Sequence, residues 1–192
     1  DFDARRTTPH SMILVIQRVT SATVVAHVEG APATRATIGP GLLVLVGILT
    51  TDTEADLAWC AAKIADLRIF EDAAGKMNLS VRDMLAAREA GAVPGGVMLV
   101  PNFTLAADAS KGRRPSFDRA MRPELAQPLF ERFAALVAQQ GVPVATGVFR
   151  AHMEVTLTND GPITLIVQSP GTTQPTEKTA ATPPASSDRG GP

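Results

Sequence analysis

The residues best suited to chemistry lie where an apolar run gives out. Gly96-Val97-Met98-Leu99-Val100 reads as a buried strand, and Pro101 then removes a backbone donor, so ladder pairing should fail or reach an edge there. The amide of Asn102, the ring of Phe103 and the hydroxyl of Thr104 follow directly. A rigid strand that ends in polar groups beside an aromatic ring can hold a small reacting group. The same stretch also reads as a core strand running into a turn, with Thr104 bonded to backbone. A second cluster, Lys111-Gly112-Arg113-Arg114, offers guanidinium forks for phosphate oxygens and a glycine that lets the backbone approach. Its plainer reading is a solvated basic loop.

Other chemistries find little support. The histidines, His10, His27 and His152, are scattered and form no ligand spacing, so no metal site is expected. No GxSxG elbow, Walker loop or GxGxxG is present, and no cofactor is expected. A site built from hydroxyls, amides and backbone N–H groups suits hydrolysis of an already activated ester. There, positioning and oxyanion stabilisation matter more than a forced proton transfer. Thr104 without a neighbouring base would be a feeble nucleophile.

The chain is long enough for one full core: 192 residues, 45% of them hydrophobic. Acidic and basic residues nearly cancel at 19 against 18, so any nucleic-acid contact must come from a local basic cluster. No apolar run reaches the length of a membrane span. Residues 1–11 are polar, lack the apolar core of a secretory signal and read as an extension or remnant outside the fold; 12–170 read as one domain. Residues 171–192, rich in Pro, Thr and Ala, read as a disordered tail. Cys60 stands alone, which excludes internal disulfides and fits a reducing cytoplasm; its default role is a small buried residue.

The elements that must position these groups follow from patterning. Met12–Val19 and Ser21–Val28 read as two strands with a tight connection, Ala36–Ile38 as a short strand, and Leu42–Leu49 as a central strand buried on both faces. Helical spacing of Leu57, Cys60, Ala61, Ile64 and Leu67 predicts a helix over Thr53–Asp66. Short strands are expected at Arg68–Phe70 and Met77–Val81, and a short helix or loop over Arg82–Pro94. Pro123–Gln140 reads as a second amphipathic helix, with Leu125, Leu129, Phe133 and Val137 on one stripe. Val142–Val148, His152–Leu157 and Ile163–Val167 read as strands, the last two joined by a turn at Thr158–Pro162.

Several motifs carry a resemblance. Ile16-Gln17-Arg18-Val19, Gly39-Pro40-Gly41-Leu42-Leu43-Val44, Arg68-Ile69-Phe70, Gly75-Lys76-Met77-Asn78-Leu79-Ser80, Phe103-Thr104-Leu105, Arg114-Pro115-Ser116-Phe117 and Asn159-Asp160-Gly161-Pro162 resemble the D-aminoacyl-tRNA (D-tyrosyl-tRNA) deacylases in order and from Met12 to about Gln168. The resemblance implies an α+β fold, a curved, barrel-like mixed β-sheet with two main helices, working as a homodimer with sites at the interface. It implies cleavage of the ester between a D-amino acid, and by extension glycine, and the terminal adenosine of tRNA. Phe103 and Thr104 would lie in the pocket with their backbone N–H groups on the oxyanion, and a ribose hydroxyl of the adenosine would help activate water. Gly161 and Pro162, joined by a cis peptide, would enter from the other subunit as a chirality filter. Asn102, Pro101, Met77 and Phe117 would line the substrate site, and Lys111, Arg113 and Arg114 would meet the acceptor end of tRNA.

Three features depart from the pattern. Pro101-Asn102 replace the usual Ser-Gln, which shortens the amide by one methylene and deletes a donor. Arg150 replaces a small residue, where it would pair with a phosphate, seal the pocket or face solvent. The segment 82–95 is longer than usual. The alternatives are a non-catalytic nucleic-acid-binding dimer of the same fold and a deacylase with relaxed chirality.

Overall fold

The computed structural model describes residues 11–87 and 94–171. The expected extension, apart from its last residue Ser11, and the expected tail beyond Gly171 lie outside the described residues, as does the middle of the long 82–95 segment.

The sheet is organised on β1 (Ile13–His27), a single strand of 15 residues. One edge of β1 is divided between two partners: β2 (Thr34–Ile38) pairs antiparallel with its second half and β3 (Gly41–Gly47) with its first. β3 lies parallel to β6 (Gly96–Pro101), and β6 lies parallel to β7 (Val144–Thr146). The other edge of β1 is taken over its whole length by β8 (His152–Gln168). Among the described residues this makes a six-stranded mixed sheet, order β2-β1-β3-β6-β7 with β8 on β1. A small hairpin, β4 (Phe70–Glu71) and β5 (Met77–Leu79), lies apart from it.

Alternate side chains of the central strands feed two cores. Leu42, Val44 and Val46 of β3 and Val97 and Leu99 of β6 pack under the helices, while Leu43, Met98 and Val100 pack with Val19, Val24 and Ile38 on the opposite face. That is why these strands read as unbroken apolar runs. β3 and β6 also approach very closely: a Cβ on Gly41 would lie 1.9 Å from the Gly96 carbonyl oxygen, so only glycine fits.

Helix α1 (Glu54–Asp66) starts at Thr53, whose N–H and hydroxyl both donate to the Asp56 carboxylate at 3.0 and 2.7 Å. It buries Leu57, Cys60, Ala61 and Ile64, and burial pushes the Cys60 thiol up to about 12, leaving it inert. Helix α2 (Val81–Ala86), capped by Ser80, covers the start of the segment expected as a short helix or loop. Helix α3 (Pro123–Gln139) packs against α1.

Three sequence expectations are corrected. The two strands expected before residue 28 are one, because Thr20-Ser21 marks register shifts opposite β8 rather than a turn. His152–Leu157 and Ile163–Val167 likewise belong to one strand, since both halves run antiparallel to the same β1 and the chain never reverses between them. On α3 the buried stripe is Ala126, Phe130, Phe133 and Val137, and Leu125 is exposed. A strict four-residue spacing drifts by roughly 40° per step around a helix of 3.6 residues per turn, so Leu125 has rotated off the stripe.

Asp52 is buried between α1 and β1 and accepts from the N–H groups of Met12 and Leu49 at 2.6 and 2.8 Å. Desolvation outweighs these bonds and raises its pKa to about 6. The native state therefore holds a proton that the unfolded chain releases near pH 4, and this contribution to stability is present below pH 4 and lost as pH rises through about 6. An Asn amide satisfies only one of the two N–H groups, so D52N is less stable than wild type. In urea melts the gap should be widest at pH 4 and narrow towards pH 7; a gap that stays constant would refute the protonation.

Candidate functional site

Pro101 closes the β6 ladder where the sequence predicted a break. It is the last residue of β6, opposite Val46, and the next N–H, from Asn102, donates to the Val46 carbonyl at 2.8 Å. The chain then turns through one 3-10 turn, Phe103–Ala106, with Asn102 as its cap. The Asn102 side-chain oxygen accepts from the Thr104 N–H at 3.2 Å and from the Thr104 hydroxyl at 2.5 Å. Thr104 thus spends its hydroxyl proton on a neutral amide, which cannot act as a base, and nucleophilic attack by Thr104 gains no support from this geometry. The Phe103 N–H opens the turn and has no acceptor within it.

A cleft with a cavity volume of ≈ 120 Å³ opens beside this turn, lined by Val46, Ile48, Pro101, Asn102, Phe103, Met121, Ala126, Phe149 and Arg150. Its walls are mostly apolar, with Asn102 and Arg150 as the polar members. Phe103 stays 59% exposed in spite of its size and meets Phe117 edge-to-face, ring centroids 5.1 Å apart. Arg150 holds a left-handed backbone, φ 62°, which costs a residue with a Cβ about 1 kcal/mol. Of the candidate residues, Pro101, Asn102 and Phe103 line the cleft, Thr104 is bonded behind its lip, and Phe117 supports Phe103.

The remaining candidates fall elsewhere. Lys111, Arg113 and Arg114 project from an exposed loop whose ends are tied by paired Asp108 and Ser116 backbone bonds of 2.8 and 2.9 Å. The Asp108 carboxyl is held below its usual range by hydrogen bonds from the Ser110 side chain and backbone, helped by the positive charge of Arg119. Met77, on β5, is 56% exposed and belongs neither to the core nor to the cleft lining.

Gly161 and Pro162 lie in an excursion of β8. Val19 faces Asn159 and Gln17 faces Thr164, so the four residues Asp160–Ile163 loop out opposite Arg18 alone. Asn159 ties the base of the loop, accepting from the Ile163 N–H at 2.9 Å and donating to the Ile163 carbonyl at 3.0 Å. Arg18, 6% exposed, reaches into it with bonds to the Asp160 carbonyl (3.2 Å) and carboxylate (3.0 Å), and holds the Ile69 carbonyl at 2.7 Å. Its third partner is Glu71, 3.8 Å away on β4. The Gly161-Pro162 peptide is cis, with Gly161 at φ 135°.

Sequence reasoning missed Arg18 as a site residue, although one cation inside an apolar strand was a readable signal. It also missed Phe149, Met121 and Ala126, for which no local signal existed, because the fold alone brings them to Pro101.

Loss of the Asn102 cap should show directly. N102A is expected to lower stability by about 1 kcal/mol and to speed exchange of the Thr104 amide hydrogen in NMR. An unchanged Thr104 exchange rate would mean that Asn102 is not its acceptor.

Comparisons with known proteins agree over the described domain. A family model described as D-Tyr-tRNA(Tyr) deacylase matches residues 15–168. A Myxococcus xanthus protein named D-aminoacyl-tRNA deacylase is 51% identical over 164 residues, 85% of this chain and 99% of that protein. A Geobacter sulfurreducens protein of the same name is 50% identical over 158 residues, 82% of this chain and 95% of that protein. A solved structure named c-Myc DNA Unwinding Element Binding Protein superposes with TM-score 0.70 at 34% identity, covering 83% of this chain and 99% of that one. A probable eukaryotic D-amino acid tRNA deacylase shares the fold at TM-score 0.66 and 16% identity, covering 82% and 98%.

Proposed function

The chain belongs to the D-Tyr-tRNA(Tyr) deacylase family, and from that membership we propose that it hydrolyses D-aminoacyl-tRNA in the cytoplasm, with glycyl-tRNA as a further substrate. Water adds to the acyl carbon, the ester C–O bond breaks, and free D-amino acid and tRNA leave. The observation that carries this reading is the end of β6, where Pro101 stops the ladder and presents the Phe103-Thr104 backbone beside an apolar cleft.

The terminal nucleoside enters the cleft base first, between Phe149, Met121 and the Pro101–Phe103 lip, since flat apolar walls suit the face of a base. The ester carbonyl then meets the N–H groups of Phe103 and Thr104. In the free chain Asn102 occupies the Thr104 N–H. A neutral amide oxygen is a weaker acceptor than a developing oxyanion, so the substrate displaces it as charge builds. This donor is recruited most strongly in the transition state, the condition for catalysis rather than mere binding. A ribose hydroxyl of the substrate assists the attacking water, in keeping with a Thr104 that has no base.

Gly161 and Pro162 do not line the cleft of their own chain. They act in a homodimer, entering the partner's site and crowding out an L side chain, while Arg18 and Asn159 fix the angle of the loop. Ile166, 73% exposed on the outer strand β8, supplies apolar surface for such an interface. Lys111, Arg113 and Arg114 hold the acceptor-end phosphates. A second reading, nucleic-acid binding without turnover, draws on the name of the 34% identical structure.

Purified protein given D-Tyr-tRNA and L-Tyr-tRNA should release D-tyrosine alone, with or without chelator. Salt-sensitive tRNA binding without release of either would favour the second reading, and release of both would mean an open filter. A Cβ on Gly161 would lie 2.8 Å from the Ile163 nitrogen in a backbone region reserved for glycine. G161A should therefore lose about 1–3 kcal/mol of stability and at least about tenfold of the D-over-L preference, roughly 1.4 kcal/mol of discrimination. An unaltered ratio of D to L rates would remove this loop from chiral selection.

A further inference from the structure

Arg150 stands at the mouth of the cleft, and the hydrolytic reading gives it no task. Among the described residues it is the one non-glycine with a positive φ, a conformation that glycine would adopt more cheaply. Its guanidinium is 3.9 Å from the Glu124 carboxylate, and the two side chains are 67% and 71% exposed. A pair so long and so wet is worth little, so Glu124 orients the guanidinium without holding it. On its other side Arg150 joins Pro101, Asn102, Phe103 and Phe149 in the cleft wall.

A nucleoside seated base first in an apolar cleft leaves its sugar-phosphate at the mouth, where the polar groups of the wall are. A guanidinium is planar, permanently charged and forked, which matches phosphate oxygens better than any other side chain. We propose that Arg150 is a substrate-positioning residue that binds a phosphodiester of the tRNA 3′ end, exchanging Glu124 for the phosphate. This rests on the deacylase reading and goes beyond it, because it assigns one phosphate contact to the cleft itself rather than to the Lys111–Arg114 loop.

The test compares the full chain with R150G, R150K and E124Q on D-Tyr-tRNA and on D-tyrosyl-adenosine, the same ester without a phosphate. Glycine is the replacement that suits φ 62° best, so R150G should fold at least as stably as wild type. For D-Tyr-tRNA, R150G should raise KM about tenfold, as the loss of a charge-assisted contact does, with kcat within about twofold. The slope of log kcat/KM against log salt should become shallower by about 0.7, the value for one single-strand phosphate contact. With D-tyrosyl-adenosine that KM difference should vanish. R150K should restore the salt slope but only part of the KM, and E124Q should lower KM for the tRNA.

Equal losses on both substrates, or an unchanged KM and salt slope on tRNA, would overturn the proposal. If wild type turns over neither ester, the deacylase reading fails, and filter binding of tRNA then decides for Arg150. Weaker binding by R150G with a shallower salt slope would uphold the phosphate contact, and identical binding would refute it.

Discussion

A guanidinium cannot be buried without partners, and much of this structure follows from the ones Arg18 has. It stands in β1 at the point where β8 slips register, and it collects the Asp160 carbonyl and carboxylate, the Ile69 carbonyl and, more loosely, Glu71. These acceptors come from two separate segments, the Asp160 loop of β8 and the stretch from Ile69 to Glu71. The cation therefore joins the looped-out part of β8 to the β4–β5 hairpin and fixes both against the sheet. Removing it would strand the facing carbonyls and leave the Asp160–Ile163 loop held only by Asn159. Neither Gly161 nor Pro162 has a side chain that can bond to the sheet, so the loop depends on such an anchor.

The lip of the cleft is built on the opposite principle. Its shape comes from a missing bond rather than an added one. Pro101 has no N–H to give on the β7 side, the side on which the Val97 N–H bonds the Pro143 carbonyl, and the N–H of Asn102 makes the last bond to β3. The chain then coils into a 3-10 turn, and Asn102 caps it with the shortest amide side chain available, accepting from the Thr104 N–H. A longer glutamine would not need to fold back on the backbone in this way.

Elements whose burial pattern is local were legible in the sequence. α1, β3 and β6 carry their own periodicity and caps, and their limits match the expectations to within a residue or two. The long strands were misread for a common reason. A polar pair such as Thr20-Ser21, or Asn-Asp-Gly-Pro at 159–162, has turn composition, yet whether the chain reverses there depends on what pairs with either side. That is tertiary information. The same limit applies to the site: Pro101–Thr104 announced themselves and Arg150 stood out as a departure, whereas Phe149 reaches the cleft only because β7 lies beside β6 and delivers the following segment there.

The two parts of the site also differ in how they tolerate change, and this bears on what evolves. In the proposed function the lip acts through backbone N–H groups, so what it needs from Pro101 and Asn102 is the turn they form. The Gly161 loop works through conformation, and a single Cβ would meet Ile163 within 2.7 Å. In the proposed function, hydrolysis and chiral choice rest on separable features, one a ladder end and the other a loop held by a buried cation. A change near Pro101 alters how firmly the Thr104 N–H is held by Asn102. A change near Arg18 or Asn159 alters how the Asp160–Ile163 loop is held. Arg150 shares the cleft wall with the lip, so the proposed phosphate contact adds affinity for the nucleic acid at the edge of the same cleft.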